Sequence, residues 1–186
     1  MITIGITGTI GAGKGTIVDY LSREKGFAHY SVRDFLVGEI KKRKLQVNRN
    51  HMVEIANELR KKHSPSFIVE KLYELAIKSG KDCIIESIRT PGEVTALKNK
   101  GFFYLFAVDA EAELRYERIV QRNSETDQIS FNTFTNNEKR EMSSADPNKQ
   151  NLSKCIEMAD YVFINNSTFK VLFEKVETVL KKIIQD

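Results

Sequence analysis

Nine consecutive residues near the start of the chain, Gly8-Thr9-Ile10-Gly11-Ala12-Gly13-Lys14-Gly15-Thr16, have the types and spacing to hold a phosphate chain. Glycines let the backbone curl into a concavity whose N–H groups converge on anionic oxygens. Gly8, Gly11, Ala12, Gly13, Gly15 and Thr16 are the residues expected to wrap the phosphates, and Lys14 brings a full positive charge to the terminal ones. A plain glycine-rich turn is the alternative, but the flanking residues argue against it.

Those flanks are the elements that must position the loop. Ile2 to Thr7 is an apolar run that reads as a buried strand, and Ile17, Val18 and Leu21 have helical spacing. A helix beginning near Lys14 adds the partial positive charge of its N-terminus. Further along, Phe27–Ser31 reads as a second strand after the helix stop Gly26, followed by a helix to about Lys42. Residues 45–50 form a polar connection. Met52, Ile55, Ala56 and Leu59 mark an amphipathic helix to about Lys62. Ser64-Pro65 starts another helix, which Gly80 ends. Asp82–Ser87 is a continuous apolar run closed by an acid, the pattern of a buried parallel strand. Thr90-Pro91-Gly92-Glu93 is a capping box with proline at the first helical position, and Gly101 ends that helix. Phe102–Val108 is the fourth strand. Asp109-Ala110 opens a helix with Leu114, Ile119 and Val120 on its buried side. Ala159–Asn165 is the fifth strand, and Asn166-Ser167-Thr168 caps a last helix bearing Phe169, Leu172, Phe173, Val176, Val179 and Leu180. Strands alternating with helices predict a three-layer α/β/α fold with a five-stranded parallel sheet, as one domain over residues 1–186.

Composition agrees with one soluble domain. The 186 residues are 41% hydrophobic and 29% charged, with a formal net charge of +4. A chain of this length buries about 70% of its unfolded surface. It lacks an 18-residue apolar run, and Met1 leads straight into a strand without a secretory signal pattern, so a cytoplasmic location without membrane attachment is expected. Cys83 and Cys155 are far apart and lack metal spacing, which suits a reducing compartment. The basic runs Lys41-Lys42-Arg43-Lys44 and Arg60-Lys61-Lys62 are not interleaved with aromatic residues, so no nucleic-acid partner is expected.

The spelling Gly13-Lys14-Gly15-Thr16 places the hydroxyl one residue later than the common motif, which uses it directly after the lysine to hold magnesium. In this it resembles the GxxGxGKGT loop of the nucleoside monophosphate kinase-like P-loop proteins, of the adenylate and cytidylate kinase type. Other segments are similar to the same family. Ser31, Asp34 and Leu36 match its S-T-G-D-x-L-R segment, although Arg33 replaces the glycine and Val37 the acceptor-binding arginine. Ser31 and Asp34 also fit an ordinary helix cap. Glu86-Ser87-Ile88-Arg89-Thr90 resembles D-G-F-P-R-T, and Glu117 to Arg122 resembles D-R-I-V-G-R.

The resemblance implies ATP and magnesium as donor and cofactor, with the metal held largely through water and phosphate oxygens near Thr16 and Glu86. Lys14, Arg89, Arg118 and Arg122 would be the catalytic residues, and four-residue spacing sets Arg118 and Arg122 on one helix face. Ser31, Arg33, Asp34, Arg60 and Arg89 would bind the acceptor, within a helical lobe over about 32–80. Arg60 is placed on the polar side of its helix, where it equally fits a surface charge. The polar stretch 123–151 would be a short, partly helical lid, with Arg140 as a third phosphate contact, and without the cysteine cluster of a zinc-bearing lid. Asn165 to Thr168 would border the donor base. The expected partners are small nucleotides, the expected assembly a monomer or homodimer. The implied activity is phosphoryl transfer to a nucleoside or deoxynucleoside monophosphate. Dephospho-coenzyme A kinase is the alternative, because it shares the T-G-x-I-G-x-G-K opening at Thr7–Lys14 but not the Asp-Ala-Asp that follows its second strand. A regulatory ATP-binding protein without efficient transfer is a third reading, favoured by Val37.

Overall fold

The apolar run near the N-terminus forms β1 (Thr3–Gly8), every residue of which is buried. The computed structural model describes residues 1–123 and 128–185. Ser124 to Asp127, part of the expected lid, and Asp186 lie outside the described residues. β1 is the middle of a five-stranded sheet with β2 (Ala28–Ser31), β3 (Cys83–Glu86), β4 (Phe103–Asp109) and β5 (Tyr161–Ile164). The order is β2-β3-β1-β4-β5 and the pairs are parallel. Register aligns Ile6 with Glu86 on one side and Gly8 with Val108 on the other. From β1 the chain crosses to the edge strand β2, returns to β3 beside β1, then passes to β4 and β5 on the other side; the crevice above the C-terminal end of β1 is where an open α/β sheet binds ligands.

Alternation along the strands divides the core into two faces. Ile4, Ile6, Ile84, Phe106 and Val108 pack with Ile17, Val18 and Leu21 of α1 (Lys14–Lys25) and Leu172, Val176 and Leu180 of α9 (Phe169–Gln185). On the other face Ile85, Ile88 and Leu105 meet α2 (Val32–Lys42), α3 (Arg49–Lys62), α4 (Phe67–Ser79), α5 (Pro91–Lys98) and Cys155 of α8 (Leu152–Glu157). Each such fully buried aliphatic side chain stabilises the fold by about 1.5–3 kcal/mol. Two further helices, α6 (Ala112–Arg122) and α7 (Phe131–Met142), follow β4. The three-layer α/β/α expectation is met.

Several boundaries differ from the sequence pattern, for physical reasons. α3 starts at Arg49, inside the stretch read as connection, because the Asn48 side chain accepts from the His51 N–H and caps it. α4 starts at Phe67, after Pro65 rather than at it. Asp109 ends β4 instead of opening α6; its carboxylate accepts from Thr9 Oγ1 at 2.5 Å and from the Ala110 amide. Val120 of α6 is exposed, and Arg115 and Ile119 hold the buried stripe instead. Phe169 is also exposed, at the mouth of the crevice. The capping box at Thr90 and Glu93 is complete: the Thr90 side chain accepts from the Glu93 amide, and the Glu93 carboxylate accepts from the Thr90 amide.

Candidate active site

Above the C-terminal ends of β1 and β3 lies a cavity of about 790 Å³, within the usual range for small-molecule sites. Its floor is the glycine loop. Gly13 caps α1 with φ 99°, in the left-handed region, and a Cβ there would sit 2.4 Å from Asn165 Nδ2. Asn165, buried at the end of β5, donates that amide to the Ala12 carbonyl at 2.9 Å and so braces the loop from behind. Gly11, Gly13, Lys14, Gly15 and Thr16 line the cavity. Gly8 and Ala12 do not: a Cβ on Gly8 would lie 2.0 Å from the Val108 carbonyl oxygen, and Ala12 is fully buried. Gly15 is different from both, since a Cβ there would meet nothing within 4 Å. The space beside it is left open by the fold itself.

Lys14 folds over the loop, donating from Nζ to the carbonyls of Gly8 at 2.9 Å and Thr9 at 2.6 Å. Burial, reinforced by the positive charge of Arg89, pushes its pKa down to about 7. Glu86 closes β3 on the same floor. Burial opposes its ionisation, but hydrogen bonds from His29 and Ser87 and the charges of His29 and Lys14 hold its carboxyl below the usual range. His29 Nε2 lies 3.2 Å from Glu86 Oε2, and this bond raises the imidazole pKa. Ser87, which stands where the resembling segment has glycine, adopts φ 69°; a left-handed non-glycine residue costs roughly 1–2 kcal/mol.

One wall comes from α6 and the start of α9. Arg118, Gln121, Arg122 and Phe169 line it beside Asn165. Arg118 Nη2 donates to the Asn165 carbonyl at 2.9 Å, while its Nη1 is buried without a protein partner. The opposite wall comes from α2 and α3, with Arg33, Leu36, Met52, Ala56, Arg49 and Arg60. Arg60 is not on the polar side of its helix. It is 2% exposed, and Nε and Nη2 both donate to Glu93 Oε1, at 3.1 and 2.8 Å. Glu93 Oε2 accepts in turn from the amides of Arg89 and Thr90. The capping box thus serves as a bracket between Arg60 and Arg89. Arg89 Nη1 donates to Glu141 Oε2 at 2.7 Å and to Gln150 Oε1 at 3.0 Å, and Arg49 Nη2 donates to Glu141 Oε1.

Ser31 and Asp34 stand apart from the cavity. The Ser31 side chain accepts from the Asp34 amide at 3.1 Å, which makes it the cap of α2. Arg140 of α7 is exposed and also outside the cavity lining; its neighbour Glu141 points inward instead. Arg49, Glu141, Gln150 and Arg115 were not singled out by the sequence. Arg115, 6% exposed, bonds the Ala110 carbonyl, Glu138 of α7 and the Ile10 carbonyl of the loop. Its signal was available: residue 115 falls four before Ile119 on the stripe that packs inward. Glu141 sits in a charged run and Arg49 among neutral polar residues, and no pattern marks either.

A parallel five-stranded sheet, with a glycine loop running from its central strand into a helix N-terminus, is the fold of P-loop kinase-like proteins. The comparisons place the chain further. A family model described as AAA domain matches residues 4–144. A UPF0200 protein of Methanococcus vannielii is 32% identical over 100% of this chain and 98% of its own length. Among solved structures, TT1252 from Thermus thermophilus superposes with a TM-score of 0.59 at 19% identity, covering 97% of each chain. A shikimate kinase from Bacteroides thetaiotaomicron gives 0.58 at 14% identity, over 97% of this chain and 98% of that one. The chain belongs to the AAA domain family and to the UPF0200 proteins.

Proposed function

We propose that the protein transfers the terminal phosphoryl group of ATP to a small nucleotide-like acceptor, a nucleoside or deoxynucleoside monophosphate. The observation that carries this reading is a cavity with two cationic walls. The glycine loop, Lys14, Arg118 and Arg122 serve the donor; Arg33, Arg49, Arg60 and Arg89 face the acceptor from α2, α3 and the end of β3. Three of these arginines keep a buried donor without a protein partner: Arg49 Nε, Arg60 Nη1 and Arg118 Nη1. A buried unpaired donor costs about 1–3 kcal/mol, which a ligand's oxygens would offset. The apolar side chains of Leu36, Met52 and Ala56 would cover the acceptor's body.

No side chain needs to act as a nucleophile. Lys14 would leave the loop carbonyls for the terminal phosphate, and the arginines would align both partners and spread the developing charge. The Thr16 hydroxyl and the ionised Glu86 fit a hydrated magnesium ion, since both line the cavity beside Lys14. Magnesium, when bound with ATP, supplies charge neutralisation at the phosphate oxygens. α7 and the segment to Gln150 would shield the cavity from water.

The test is a panel of ribo- and deoxyribonucleoside monophosphates plus dephospho-coenzyme A, each with ATP and magnesium. Transfer to a monophosphate supports the reading, and transfer to dephospho-coenzyme A alone replaces the acceptor. Hydrolysis of ATP without any acceptor product sinks the kinase reading.

A further inference from the structure

Of the four arginines on the acceptor side, Arg49, Arg60 and Arg89 are paired with two carboxylates, Glu93 and Glu141. The two carboxylates are differently held. Glu93 is fully buried at the first turn of α5, fixed by its capping box and by two backbone amides. It is part of the fold. Glu141 comes from the last turn of α7 and reaches across to bridge Arg49 and Arg89, with 3% of its surface exposed. Both its arginines line the cavity, and so does Glu141 itself. Other ties of α7 lie elsewhere on the helix: Glu138 to Arg115, and Phe131 and Phe134 packed against Tyr116 of α6. Releasing Glu141 therefore leaves α7 anchored through its other turns.

We infer that Glu141 is a resident counter-anion, which the acceptor's own anionic group displaces from Arg49 and Arg89. The inference rests on the acceptor half of the site proposed above and names the charge that half requires. Entry of an acceptor exchanges one set of charge-assisted hydrogen bonds for another, so an acceptor must outbid a carboxylate already in bidentate position. A monoanion only equals Glu141 and gains nothing by displacing it. A dianionic phosphate brings a second charge and a third oxygen, which reach the unpartnered Arg49 Nε and Arg60 Nη1. Displacing Glu141 costs every ligand the same, so carboxylates and neutral alcohols fall below useful affinity while doubly charged head groups, with their extra contacts, still bind.

The experiment uses the full chain saturated with magnesium and a non-hydrolysable ATP analogue, so that the loop is filled, with sulfate and acetate as dianion and monoanion probes. Calorimetry reads their binding to the wild type, Glu141→Gln and Glu141→Asp. Glu141→Gln is expected to bind sulfate about tenfold tighter or more, the factor that corresponds to about 1.4 kcal/mol, and to bind acetate, which the wild type does not. Glu141→Asp, with its charge kept, stays within about threefold of the wild type. Amide exchange supplies a measurement on the unaltered protein: sulfate lowers protection at 138–142 while 131–136 is unchanged. Unchanged or weaker sulfate binding by Glu141→Gln overturns the inference, as does α7 protection that ignores sulfate in the wild type. Phosphoryl transfer observed without this exchange defeats the inference alone. Exchange observed without any transfer defeats the kinase reading alone.

Discussion

Lys14 offers a sharp test, because its protonation state must change when a nucleotide binds. Burial and the charge of Arg89 put its pKa at about 7, against about 10.4 for an unperturbed lysine. At pH 8 roughly nine in ten Lys14 side chains are then neutral, and at pH 6 roughly one in ten. A triphosphate placed against the ammonium restores an ordinary or higher pKa. Binding of ATP should draw in about 0.9 proton at pH 8 and about 0.1 at pH 6, and above pH 7 each pH unit should weaken binding by up to about tenfold. Calorimetry in two buffers of different ionisation enthalpy measures the uptake directly. Lys14→Met should abolish the uptake at pH 8 and weaken ATP binding. The same residue governs stability without nucleotide. Its folded pKa is depressed, so between about 7 and 10.4 the unfolded chain holds the extra proton, and Lys14's contribution to stability improves as pH rises through that window. Lys14→Met should therefore raise the melting temperature most below pH 7, with the gain fading toward pH 10. Uptake below about 0.3 proton at pH 8, or uptake retained in Lys14→Met, refutes the reasoning.

Other outcomes follow from the packing. Arg60→Met strands Glu93 in the core and should cost about 3–5 kcal/mol, whereas Arg60→Met with Glu93→Gln should cost clearly less than the summed singles, measured by urea denaturation. Gly15→Ser should leave stability within about 0.5 kcal/mol of the wild type, because nothing lies within 4 Å of its Cβ direction. Gly13→Ala should destabilise by more than about 1 kcal/mol, from its positive φ and its contact with Asn165; equal melting temperatures for the two variants would contradict the loop geometry. Arg89→Ala should raise the acceptor KM at least about tenfold with little change in ATP affinity.

The periodic parts of the fold were readable because a strand or helix leaves a repeated trace of one buried face. Ile4 and Ile6, or Leu172, Val176 and Leu180, announce their elements whatever surrounds them. The glycine loop was readable for a related reason: its shape is carried by backbone geometry over nine adjacent residues. Capping is local as well, so Thr90 and Glu93 were paired correctly from spacing alone.

The rest depended on distant partners. A mean-polar helix face suggested that Arg60 points outward, yet Glu93, 33 positions away, draws it into the core. Arg140 and Glu141 are indistinguishable as members of a charged run. Only the packing of α7 against α6 and α8 turns one to solvent and the other onto Arg49 and Arg89, residues 92 and 52 positions away. The sequence by itself determined the strand–loop–helix unit around Lys14 and the order of strands and helices, since each rests on patterns within a few residues. Which arginines face the cavity, and which carboxylates balance them, was decided by tertiary structure, because charges pair through space and leave no period along the chain.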